Sequence, residues 1–86
     1  MSGVEDIRAG IMTAKERANS GLAALQQARQ AIEEALQILA QVTSGSSQPE
    51  VTQAHGMLQE AAQGIDSQQN VIQGAIQSAE SYAQRL

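Results

Sequence analysis

One break divides this chain. Turn-forming residues gather at Thr43-Ser44-Gly45-Ser46-Ser47-Gln48-Pro49, near the middle of 86 residues, and the flanking segments are rich in Ala and Gln, with Leu, Ile and Glu behind them. Most of these residues favour helix. Gly45 suits the C-terminal cap of a helix ending near Val42 or Thr43. Ser47-Gln48-Pro49-Glu50 reads as a fresh start: Ser47 can cap, Pro49 falls in the first turn, and Glu50 completes a capping box. Ser2-Gly3-Val4-Glu5 repeats the device at the beginning. The expectation is one domain over 1–86, with helix 1 over about 3–43, a turn at 44–47 and helix 2 over about 48–85.

Periodicity strengthens this reading. In helix 1, alternating steps of three and four select Val4, Ile7, Ile11, Ala14, Ala18, Gly21, Leu25, Ala28, Ile32, Ala35, Leu39 and Val42. In helix 2 the same rule selects Val51, Ala54, Leu58, Ala61, Ile65, Gln68, Ile72, Ala75, Ala79, Tyr82 and Leu86, with only Gln68 polar. Two such seams of near-equal length, joined by a short turn, predict an all-α antiparallel two-helix hairpin with a coiled-coil seam. Each helix should run roughly 55–60 Å, and the two should cross at about +20°. Nine of the 23 seam positions are Ala or Gly, so close backbones and a thin core are expected. Small domains are already marginal in the surface they can bury, so this seam predicts a partner.

Large apolar residues beside the seam are the candidate contact. Leu22, Leu36 and Ile76 flank it on one side, with Ala62 level with Leu36. Ile38, Met57 and Val71 flank it on the other and are the second choice. Residues should pair across the hairpin when their numbers sum to roughly 96–98. A second hairpin on either face would make a four-helix bundle, whether a homodimer or a complex with a heteromeric helical partner. Gln68, alone polar in the seam, is the candidate register residue.

Composition removes several classes of function. The net charge is -4, Tyr82 is the sole aromatic residue and Cys is absent. Nucleic-acid binding wants a basic surface and stacking rings, and a thiolate zinc site wants Cys. His55 is the only imidazole, and Glu50 and Glu60 each lie five residues away, off the spacing that shares a helix face. No phosphate loop, nucleophile elbow or zinc-protease motif occurs. The expectation is therefore no catalytic, cofactor or metal residues and no enzyme. The start MSGVEDIRAG carries acids early and lacks an apolar core, unlike a cleavable signal. No apolar stretch approaches a bilayer span, and the polar faces lack the Lys and Arg of a membrane-surface helix. The chain reads as cytoplasmic, or exported without a cleaved leader.

Five glycines, Gly10, Gly21, Gly56, Gly64 and Gly74, fall inside the expected helices, each costing about 1 kcal/mol against Ala. Close packing accounts for Gly21 on the seam; nothing in the sequence accounts for Gly56 and Gly74.

Two long helices, one short polar turn and the absence of a leader resemble the small WXG-type (ESAT-like) proteins of type VII secretion. The start Val4-Glu5-Asp6-Ile7-Arg8-Ala9 and the end Ala79-Glu80-Ser81-Tyr82 are similar to short Ala/Gln-rich actinobacterial hairpin proteins of unassigned function. The resemblance implies a partner or targeting subunit that travels with, or escorts, a larger secreted effector. The rival expectation is an intracellular homodimeric scaffold or adaptor unrelated to export. Where the family carries Trp-x-Gly, this chain has Ser44-Gly45-Ser46-Ser47-Gln48-Pro49. Where the family carries Tyr-x-x-x-Asp/Glu, Tyr82 is followed four residues on by Leu86. No residue of either motif carries over.

Overall fold

In a computed structural model describing residues 3–86, the chain forms two α-helices, α1 (Val4–Val42) and α2 (Pro49–Gln84). They fold back on each other as an all-α hairpin 64 Å long and 17 by 15 Å in section. The turn is built on Gly45. The Ser46 amide donates to the Thr43 carbonyl at 2.9 Å, and Gly45, third of these four residues, has φ +84°. A type II turn demands positive φ at that position, which costs glycine nothing. The Thr43 amide donates to the Leu39 carbonyl at 3.0 Å, and the Thr43 hydroxyl donates to the same carbonyl, closing α1.

The start of α2 differs from the expected capping box. Gln48 is the N-cap, without a side-chain cap, and Pro49 opens the first turn. A proline ring already holds the helical φ and has no amide to satisfy, so the helix starts without Ser47. Gly3 likewise heads α1 with no side-chain cap. Ser2 lies outside the described residues.

Between the helices, one row of each expected seam stays in place and the other moves by one residue. Ile11, Ala18, Leu25, Ile32 and Leu39 of α1, with Val51, Leu58, Ile65, Ile72 and Ala79 of α2 and Leu86 just beyond it, are half-buried as expected, whereas Val4 at the first turn of α1 is exposed. The small row mostly turns outward. Ala14, Ala28, Ala35, Val42, Ala61, Gln68, Ala75 and Tyr82 are exposed. The row one residue later takes its place: Lys15, Leu22, Arg29 and Leu36 in α1 with Thr43 at its C-cap, and His55, Ala62, Gln69, Ile76 and Ala83 in α2. Ala62 is the buried residue, at 6% exposure; the rest are half-buried.

Area explains the choice. Burial stabilises in proportion to the apolar surface removed from water, at ~25 cal/mol per Å². A row containing Leu22, Leu36 and Ile76 therefore outweighs one containing Ala28, Ala35 and Ala75. Lys15 and Arg29 are tolerated there because their stems cover apolar surface while their charged heads reach the rim. The alanine row expected inside the seam is corrected accordingly. A Cβ added at Gly21 would meet nothing within 4 Å, so close packing does not account for that glycine.

Candidate functional site

The shifted seam leaves two unlike sides. One is lined by Met12, Asn19, Gln26, Glu33 and Ala40 of α1 and by Thr52, Gln59, Asp66, Gln73 and Glu80 of α2. Among the described residues, every side-chain bond between the helices lies here. Lys15 Nζ donates to Glu80 Oε2 at 3.1 Å. Gln69 Nε2 donates to Gln26 Oε1 at 3.3 Å. Arg29 grips Asp66 with two bonds, Nε to Oδ1 at 2.6 Å and Nη2 to Oδ2 at 2.9 Å, and also donates to Glu33 one turn along its own helix. Each cross-helix pair sums to 95, just outside the expected 96–98.

These contacts set the register, the task expected of Gln68. Gln68 is exposed, whereas its neighbour Gln69 occupies the seam and meets Gln26. A two-pronged guanidinium–carboxylate contact adds directional specificity. The hydrogen bond from Arg29 holds the Asp66 carboxyl below its ordinary value of 3.8, and the bond to Asp66 raises the Arg29 guanidinium in turn. Both groups remain partly in solvent, at 28% and 47% side-chain exposure, so screening limits what the pair adds to stability.

The opposite side is lined by the small row. Beyond it stand Arg17, Ala24, Ala31 and Ile38 of α1, and Met57, Gly64, Val71 and Ser78 of α2. Helical spacing of three and four joins them into one stripe per helix. Ile38, Met57 and Val71 are 59%, 62% and 64% exposed, and Val42 and Tyr82 lie open on the same side. Between Ile7 and Val42 and between Ala54 and Tyr82, Arg17 is the only charged residue on these stripes. Glu50, in the first turn of α2, is the nearest acid on the stripe; the other acids lie elsewhere around the helices.

Of the expected contact residues, the first set is taken up within the hairpin. Leu22, Leu36 and Ile76 are half-buried and Ala62 is buried, all in the seam. Ile38, Met57 and Val71 form the exposed apolar surface.

Other features offer less. His55 is half-buried in the seam, and among the described residues no group of three or more His, Asp or Glu side chains is placed to hold a metal ion. An open groove of about 620 Å³ lies at the free end between Arg8, Met12, Lys15, Asn19, Glu80 and Gln84, spanned by the Lys15–Glu80 pair. Neither helix is long and apolar enough to cross a membrane. No family model matches the chain, and comparison with curated proteins and with solved structures finds no match.

Proposed function

We propose that this protein is a non-enzymatic docking module that binds a helical partner through the side carrying Ile38, Met57 and Val71. A single observation carries the reading: a nearly charge-free apolar side that neither helix of the described residues covers. Exposed apolar surface that is continuous, rather than scattered, marks interaction sites. Amphipathic helices laid into such a surface dock by anchors spaced at three and four residues.

Within this reading, we assign the partner to a larger secreted effector, with the hairpin as its type VII-associated targeting subunit. The similarity of Val4-Glu5-Asp6-Ile7-Arg8-Ala9 and Ala79-Glu80-Ser81-Tyr82 to short actinobacterial hairpin proteins supports this finer assignment. Co-expression with the products of adjacent genes tests both levels. The expected result is a stoichiometric complex that Met57→Glu with Val71→Glu abolishes and Gln59→Glu, on the polar side, leaves intact. A complex indifferent to the double substitution overturns the docking side. A partner with no link to secretion, bound through this side, overturns only the escort role.

A further inference from the structure

We infer that the groove at the free end of the hairpin is a second docking site, for an amphipathic helix that carries an acid, a large apolar anchor and a base at four-residue spacing. The groove lies on the polar side, away from Ile38, Met57 and Val71, and is independent of what those residues bind.

The line of charge and apolar surface along the groove comes first. From Arg8 to Asn19 the groove follows α1 for roughly 16 Å, about three helical turns. Half-buried Ile11 and Ala83 give it apolar walls, and Met12 stands in it at 63% exposure. Lys15 and Glu80 bind each other across it at 3.1 Å, so their charges are already matched. Arg8 and Glu16 are different. Both are exposed and line the groove, and among the described residues neither has an oppositely charged side chain within 4.0 Å.

Arg8, Met12 and Glu16 stand four residues apart in succession, which places them one above another on α1. Read along the helix, the line is base, apolar, acid. A helix laid beside it matches with acid, apolar and base at the same spacing. Its carboxylate then faces Arg8, its anchor covers Met12 and its base faces Glu16. Opposite charges speed and orient such an encounter, and like charges set opposite each other reject the wrong partner.

Charge along the rod favours approach at this end. In the half away from the turn, Arg8, Lys15, Arg17 and Arg85 offset Glu5, Asp6, Glu16 and Glu80. In the half near the turn, Arg29 alone stands against Glu33, Glu34, Glu50, Glu60 and Asp66, so the whole net charge of -4 resides there. A partner bearing a carboxylate is repelled by the turn half and not by the free half. Neither Glu5 nor Asp6 lines the groove. Openness selects a helix over a small molecule. Small-molecule sites enclose most of their ligand, whereas this channel is open above, and a helix covers it by touching both rims.

The test uses an Ala-rich peptide of about 20 residues, long enough to form helix in water, with Glu-x-x-x-Leu-x-x-x-Lys on one face. Two controls replace the charged pair by Lys and Lys or by Glu and Glu. Titrated into the full chain, the first peptide should give saturable amide NMR shifts at Arg8, Met12, Asn19 and Ala83, and leave Ile38, Met57 and Val71 unmoved. Met12→Glu should weaken it about tenfold, as for loss of a central anchor. Arg8→Glu should switch the preference to the Lys and Lys peptide. Met57→Glu with Val71→Glu, or Val71→Ala should that variant not fold, should leave peptide binding unchanged, so this site and the docking side of the proposed function fail separately. No saturable shifts, or shifts centred on Ile38, Met57 and Val71, overturn the site. Equal binding of all three peptides, before and after Arg8→Glu, overturns the charge match. Decanoate saturating the same residues where the peptide does not overturns the helical partner in favour of a small amphiphile.

Discussion

The two sides of this hairpin have similar helices beneath them and opposite chemistry on top. On one, Lys15–Glu80, Gln26–Gln69 and Arg29–Asp66 tie α1 to α2. On the other, Ile38, Met57 and Val71 stand in the open beside a row of alanines. The polar side is tied together: Lys15, Gln26 and Arg29 have partners on α2 that meet at one register. The apolar side is unfinished, since large side chains there gain nothing while they face water. Among the described residues Ala62 alone is buried, so the two helices have little core of their own. What such a chain contributes beyond its fold is the surface it leaves uncovered.

The largest expected contrast is between neighbours two residues apart. Leu36 faces the seam and Ile38 faces the open side. Truncating buried Leu to Ala costs roughly 2–5 kcal/mol, and half-burial places Leu36→Ala near the lower end. In a monomer, Ile38→Ala should change stability by less than about 0.5 kcal/mol, as expected at a surface position. Chemical denaturation of both variants checks this. Equal losses in the monomer would erase the distinction between the sides.

A smaller effect comes from the glycines. A Cβ at Gly56 or Gly74 would meet open space, and neither has an unusual backbone. Gly56→Ala and Gly74→Ala should therefore each add about 0.5–1 kcal/mol from helix propensity. Gly64→Ala should match them in a monomer and fall short in an assembly that covers the open side. A denaturation series at two protein concentrations separates those outcomes.

The smallest effect belongs to the polar side. Arg29 holds the Asp66 carboxyl below its ordinary 3.8. Its contribution to stability is therefore present above that value and is lost as pH falls through the lowered one. Asp66→Asn should flatten the loss of melting temperature on acidification from pH 5 to pH 2, with little change at pH 7. An unchanged acid profile would mean that the pair does not matter to folding. High salt should weaken the wild-type pair in the same direction.

How far the sequence could be read differs between the backbone and the faces. Pro49 and Gly45 mark the break unambiguously, because each acts through its own backbone conformation. Ile11, Leu25, Ile32, Leu58 and Ile65 belong to the seam under either choice of the second row. Leu22, Leu36 and Ile76 did not declare themselves. The rows three and four residues after each anchor differ by 100° around the helix, and α1 offers an unbroken small apolar row at one and an interrupted larger row at the other. Charged Lys15 and Arg29 count against the second row until their partners on α2 are known.

The sequence by itself therefore determined two long helices and a single reversal at Gly45, since these follow from local conformation. Only the tertiary structure decided which flank faces in. That choice depends on total area buried and on ion pairs between residues 37 and 65 positions apart, and such contacts exist only once both helices lie side by side.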